Sequence, residues 1–273
     1  MYNSGISPEI IALELDTSKD EIIQIISDEK EENKKGNPSR SVTASPFMNK
    51  LYLDAVIEIE SIIKDSQIRM WNALKVKPEF RISLSETQSI LEKFAESKLN
   101  LVILHIDLVG STKMSMTLSI DKLSAIIRAF AQEMTILISM YGGYVLKYIG
   151  DAVLAFFIVD SPNSLYLRCI NAMECACSMI KVVSQGINPI LNQYDYPELR
   201  VRIGIDVGEN AVVQFGWDTY TSHGKVIMKR PHFDILGYTI SIATKMTTFA
   251  KPDQIVIGQL VYDVLEDKQS TFR

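Results

Sequence analysis

The run LVILHID at 101–107 constrains this chain more than any other segment. Its aliphatic residues follow one another without polar alternation until His105, over a length that suits a strand better than a helix. A strand of that kind must be buried, and it ends at a carboxylate, Asp107, followed by LVGST. From Asn100 onward the texture stays consistent with this start. Ser119–Met140 has a helical period that Gly142-Gly143 terminates. YVLKYI and AVLAFF, separated by Gly150-Asp151, read as a hairpin. Ser164–Gly186 reads as helix, LRVRIGIDV at 199–207 as strand, and Ala211–Phe215 as a further strand before a polar segment that runs to Pro231. Tyr238–Ala250 is helical and QIVIG at 254–258 is a last buried strand. The order β-α-β-β-α-β predicts an α+β fold of ferredoxin-like type, with helices packed on one sheet face.

The region before this domain divides by composition. Residues 1–28 carry two apolar-periodic runs, Ile10–Leu15 and Ile22–Ile26, with the spacing of a helix-turn-helix and Ser18 as an N-cap. The second helix reads KDEIIQIISDE, which is acidic and unsuited to phosphates and bases, so a docking or dimerising hairpin is expected instead of nucleic-acid binding. Residues 29–45 have the charged, then Gly- and Pro-containing composition of a linker. Residues 46–98 hold an amphipathic stretch and a second helix over Thr87–Ser97 that Ser83 or Ser85 would cap. This segment is expected to regulate or dimerise the domain at 99–273, or simply to pack on it.

Charge and cysteine usage narrow the function classes. A net charge of −5 gives no general attraction to nucleic acid or to anionic lipid. No apolar run approaches the roughly 18–20 residues of a spanning segment, and MYNSGISPEI lacks a basic-then-apolar leader. Cys169, Cys175 and Cys177 have no zinc-ligand spacing and are odd in number, so a reduced, cytoplasmic setting is expected.

Two carboxylates stand out as chemistry. Asp107 lies at a strand end before a Gly-Ser-Thr turn, and Asp151 at a hairpin tip; if the hairpin pairs beside LVILHID, both reach one end of the sheet. Carboxylates brought together repel, and a divalent cation relieves the repulsion. Each also has a plain reading, as a turn residue. His105, alternating within a buried strand, reads as a satisfied core histidine.

Taken in order, HIDLVGST, KYIGDAVLAFF, LRVRIGIDVG and FDILGYTISIATKM resemble the catalytic domain of class III nucleotide cyclases, from about Leu101 to the end of the chain. The resemblance implies that Asp107, Asp151 and the backbone of Leu108 hold two divalent cations, Mg²⁺ or Mn²⁺, at a triphosphate. Gly110, Ser111 and Thr112 would cradle phosphate through their amides. Lys147 and Asp234 match the adenine-reading pair of adenylate cyclases, which implies conversion of ATP to 3′,5′-cyclic AMP and pyrophosphate. By period two, Lys147 shares a face with Val145 and Ile149. The family works as a dimer whose sites are shared between subunits, so a homodimer is expected, with an arm near Trp217 reaching across.

Two positions depart from the family. Ser241 stands where an asparagine orients the ribose, and Lys245 where an arginine stabilises charge on the α-phosphate; lysine keeps the charge and loses the bidentate fork. Family members also continue into a last hairpin bearing a phosphate-binding lysine. Here Lys268 has no such context and QIVIG is followed shortly by Arg273. A weakly active or silent nucleotide-binding dimer, and a cyclase of another base preference, therefore stay open beside the adenylate cyclase.

Overall fold

The computed structural model describes residues 18–20, 23, 46–75, 80, 82–161, 164–222 and 225–271. The helix-turn-helix reading of 1–28 and the linker at 29–45 lie almost wholly outside them. In chain order the elements are α1 (Pro46–Lys75), α2 (Ser85–Lys93), β1 (Lys98–Leu108), α3 (Ser111–Thr117), α4 (Ile120–Met140), β2 (Tyr144–Ile149), β3 (Ala152–Val159) and α5 (Leu165–Lys181). A π-helical turn (Val182–Ile187) then leads into α6 (Asn188–Gln193), β4 (Val201–Ser222), β5 (Lys225–Leu236), α7 (Tyr238–Phe249), β6 (Gln254–Ile257) and α8 (Gln259–Thr271).

Two compact units result, Met1–Pro78 with Lys181–Leu199, and Glu79–Ile180 with Arg200–Arg273. In the first, Gln67 on α1 donates through Nε2 to the carbonyl of Gln185, 2.9 Å away in the π-helical turn. Near the end of α1, the Lys75 ammonium sits 5.0 Å from the ring centre of Tyr194. Asn188 holds both backbone groups of Leu199, accepting from its N–H at 2.8 Å and donating to its C=O at 2.9 Å. These bonds occupy backbone groups that burial would otherwise leave unpaired.

The second unit is built on a sheet of strand order β2-β3-β1-β4-β5, with β6 parallel to β4. β1 is central and antiparallel to both neighbours, and Leu101 through Ile106 are all buried, as the unbroken apolar run requires. Helices cover both faces, contrary to the one-face expectation. On one face α2 and α7 enclose Leu101, Ile103, Leu154, Phe156, Val212, Phe233 and Ile235. On the other, α4 packs so closely that a Cβ on Gly143 would meet both Phe157 and Ile138. Two covered faces are what a doubly buried central strand demands.

α4 buries Ile126, Phe130, Met134, Leu137 and Ile138, a stripe at helical spacing. It is also the one described helix long and apolar enough to cross a membrane, by length and composition alone. Here it packs as a core helix.

Two further expectations change. β4 is a single 22-residue strand that absorbs Ala211–Phe215, and the polar segment to Pro231 is its outer half followed by the return strand β5, with the register slipping between Gln214 and Gly216. α2 starts at Ser85 with Leu84 as N-cap and no side-chain cap, and it ends at Lys93. The chain after β6 forms helix α8, and Lys268 lies on it.

α7 lies flat on β4 because the strand offers glycine beneath it. A Cβ on Gly204 would come 2.1 Å from the carbonyl oxygen of Ala243, and one on Gly208 would come 2.7 Å from Thr239 Oγ1. Ala243 and Thr239 are buried on the helix underside, with Thr247. Gly204→Ala must lift the helix and should destabilise the domain by about 3 kcal/mol, the upper range for overpacking. Urea unfolding, followed by circular dichroism, measures that loss.

Candidate functional site

Antiparallel pairing of β1 with β3 sets His105 opposite Leu154 and Ile106 opposite Val153. One step further, Asp107 comes level with the start of β3, where Gly150 (φ +64°) and Asp151 form the turn from β2. Both carboxylates therefore sit at one end of the β1–β3 ladder. Their fields converge on His105: burial pushes its pKa below the ordinary histidine value, while Asp107 and Asp151 each pull it back up.

On the other side of β1, Asp107 pairs in register with Arg202 of β4, whose Nη2 donates to Asp107 Oδ2 at 2.6 Å. Arg202 escaped the sequence reading. Its signal was a charged residue inside the otherwise apolar strand VRIGI, and only the strand register reveals which carboxylate it meets.

Three buried polar atoms around this end have no hydrogen-bond partner: Asp151 Oδ2, Arg202 Nε and His105 Nδ1. His105 is thus buried as expected but not satisfied at Nδ1. A buried carboxylate oxygen without a donor is costly, and a cation is the group that relieves it. The donor set of two carboxylates suits a hard divalent ion that keeps ligand positions open for phosphate or water. Among the described residues no cluster of three or more His, Cys, Asp or Glu side chains could hold a metal, so further ligands must come from backbone, water or substrate.

The turn after Asp107 is shaped by backbone. Leu108 ends β1 opposite Val201, and the Val109 N–H donates to the Arg200 carbonyl at 2.8 Å. Gly110, at φ +79°, is the N-cap of α3 without a side-chain cap bond, so neither Ser111 nor Thr112 serves as the cap. The first amides of α3 have no intrahelical acceptor and lie beside exposed chain.

Lys147 and Asp234, far apart in sequence, form an ion pair between Lys147 Nζ and Asp234 Oδ2. The second aspartate oxygen accepts the Ile235 N–H at 2.8 Å. The period-two placement of Lys147 is corrected by a bulge. Val145 pairs with Ala155 but Lys147 pairs with Leu154, so Lys147 takes the sheet face of Leu154 and not that of Val145.

Ser241 and Lys245 lie one turn apart on the exposed side of α7, opposite its buried Thr239, Ala243 and Thr247. Among the described residues no hydrogen bond or ion pair joins either of them to Asp107, Asp151, Lys147 or Asp234 of the same chain. The structure therefore brings together two groups, Asp107–Asp151–Arg202 and Lys147–Asp234, and leaves the third pair facing outward.

Comparison with known proteins gives this geometry a family. Residues 94–273 match the family described as the Adenylate and Guanylate cyclase catalytic domain. The chain is 27% identical over 167 residues to cytidylate cyclase from Escherichia coli, covering 60% of this chain and 35% of that protein. It is 29% identical over 119 residues to uridylate cyclase from Rhodovulum sp. (strain MB263), covering 41% of this chain and 47% of that protein. The chain thus spans less than half the length of these relatives. The adenylyl cyclase CyaB from P. aeruginosa shares the fold, with a TM-score of 0.50, 22% identity, and coverage of 63% of this chain and 82% of that one.

If the carboxylate end takes a cation, Mn²⁺ at a hundredfold excess over its Kd should stabilise the wild-type protein by about 2.7 kcal/mol. Asp151→Asn should abolish that gain. Without metal it should be at least as stable as wild type, because it removes the charge from a half-buried side chain whose Oδ2 has no hydrogen-bond partner. Thermal unfolding with and without Mn²⁺ reads both effects.

Proposed function

The chain belongs to the adenylate and guanylate cyclase catalytic domain family, and from that premise we propose that it converts ATP to 3′,5′-cyclic AMP and pyrophosphate at a site completed by a second copy of itself. The observation that carries the choice of base is the Lys147–Asp234 pair. Adenine presents an amino donor at N6 and an acceptor at N1, which a carboxylate and an ammonium satisfy together. Guanine and uracil present carbonyl and N–H in the reverse order, and would set a carbonyl oxygen against Asp234. Cytosine presents an amino group and a ring nitrogen in the same order as adenine. CTP is therefore the second reading, favoured by the similarity to a cytidylate cyclase.

Asp107, Asp151 and the Leu108 carbonyl are the groups that would hold Mg²⁺ or Mn²⁺. A divalent cation there supplies Lewis-acid activation of the ribose 3′-hydroxyl and neutralises charge on the triphosphate. The protein's own groups do the rest. The amides of Gly110, Ser111 and Thr112 hold phosphate, and Arg202, already bound to Asp107, holds that carboxylate in place and adds positive charge beside it. From the partner's face of the dimer, Lys147 and Asp234 orient the base, Ser241 orients the ribose and Lys245 stabilises charge developing on the α-phosphate. The exposed Trp217 and Phe215, both on β4, belong to the arm that reaches across. Lys245, a single point of charge without a fork, makes slow turnover the expectation. α1, which precedes the family match, serves regulation or dimerisation in this reading.

Two experiments test it. Purified protein offered each of the four ribonucleoside triphosphates with Mg²⁺ or Mn²⁺ should cyclise ATP, and next CTP, at least tenfold more efficiently than GTP or UTP, with products identified by mass. Comparable use of GTP would sink the base assignment. In the second, Asp107→Asn and Lys245→Ala chains should each be inactive alone and regain activity when mixed, since a heterodimer places both lesions in one site and leaves the other intact. No recovery in confirmed heterodimers would place the site within a single chain.

A further inference from the structure

β2 and β5 stand at the two ends of the sheet order, yet Lys147 follows from one and Asp234 from the other. Something must fix the distance between these edges. The described contacts supply it in two consecutive residues of α2. Thr87, 4% exposed, donates through Oγ1 to the carbonyl of Val145 at 2.8 Å, on the near side of the bulge that redirects Lys147. Gln88 reaches the opposite edge, where its Oε1 accepts the N–H of Phe233 at 2.9 Å and its Nε2 donates to the Phe233 carbonyl at 3.0 Å. Phe233 directly precedes Asp234.

From this geometry we infer that Thr87 and Gln88 are positioning residues that set base selectivity, by clamping the main chain beside Lys147 and beside Asp234 to one short helix. The inference rests on the reading of Lys147 and Asp234 as the base-reading pair. Its physics is local. α2 is held by Leu91, 1% exposed, and by Ile90 and Phe94, in the same apolar cluster as Leu146, Leu154 and Phe233. The helix is therefore a fixed part of the core, and the polar side chains at 87 and 88 transfer that fixity to two strand edges. The bulge at Val145–Lys147 lacks the regular ladder that would otherwise hold the chain in register, and the Phe233 backbone points its donor and acceptor to Gln88. Discrimination between an amino and an oxo base depends on placing two charges within hydrogen-bond tolerance of one base edge. Loosening either strand blurs the discrimination without touching the metal end of the site.

The test uses the full-length chain and 3′-deoxy-ATP and 3′-deoxy-GTP, which lack the attacking hydroxyl, so that affinities are read by calorimetry with Mn²⁺ and without turnover. In wild type the ratio of the GTP-analogue Kd to the ATP-analogue Kd should be at least ten. Gln88→Leu should lower that ratio at least fivefold by weakening the ATP analogue, and Thr87→Val, which keeps the shape, should lower it in the same direction. Gln88→Glu keeps the acceptor for the Phe233 N–H and should fall between. The Mn²⁺ concentration for half-saturation should stay within twofold in all of them. Leu91→Val, which loosens the same helix without a polar link, controls for plain destabilisation and should leave the ratio within twofold of wild type. An unchanged ratio in Thr87→Val and Gln88→Leu, or an equal shift in Leu91→Val, overturns the inference while the base reading stands. A wild-type ratio near one overturns the base reading, and the positioning role with it.

Discussion

Strand β1 is the constraint from which the rest follows. It is covered on both faces and paired on both edges, so neither its position nor its register can drift without exposing the apolar run from Leu101 to Ile106. Each fully buried aliphatic side chain contributes on the order of 1.5–3 kcal/mol. That stability makes a costly arrangement sustainable at the strand's end, where a carboxylate oxygen, a guanidinium nitrogen and an imidazole nitrogen are buried without hydrogen-bond partners. The two neighbours of β1 deliver the remaining parts of that end. β3 brings Asp151 at its turn, and β4 brings Arg202 opposite Asp107.

α7 depends on the same platform at one remove. Its close seat over Gly204 and Gly208 sets Thr239, Ala243 and Thr247 against the sheet, and so dictates which side of the helix faces outward. Ser241 and Lys245 are on that outward side because of the packing beneath them, independently of what they do there. A lysine at 245 in place of the forked side chain that the resemblance implies would thus change the chemistry offered outward while leaving the packing untouched.

Much of this was legible in the sequence because it is local. An unbroken apolar run ending in Asp107, a Gly-Asp turn between two apolar runs, and an interval of four between Ser241 and Lys245 each carry their meaning within a few residues. What escaped notice depended on register or on a distant segment. Arg202 gains its partner only when β4 aligns with β1. Lys147 changes face because of one extra residue at a bulge, which strict alternation cannot anticipate. The length of β4 was hidden because its outer half is polar, and the second covered sheet face was hidden because periodicity shows that a helix has an apolar stripe without showing which side of a sheet receives it.

The Lys147–Asp234 pair has a consequence for selectivity. With no base present, each group is already the other's ligand, and Asp234 spends its remaining oxygen on the Ile235 amide. If the pair reads a base, as proposed, the base meets two groups already organised, whose ammonium and carboxylate keep donors and lone pairs to spare. On that reading the right edge adds hydrogen bonds while the pair stays intact, whereas the wrong edge sets a carbonyl oxygen against the carboxylate and leaves its groups unpaired. Selectivity in that reading would be set before any nucleotide arrives, by a pair the fold has already made.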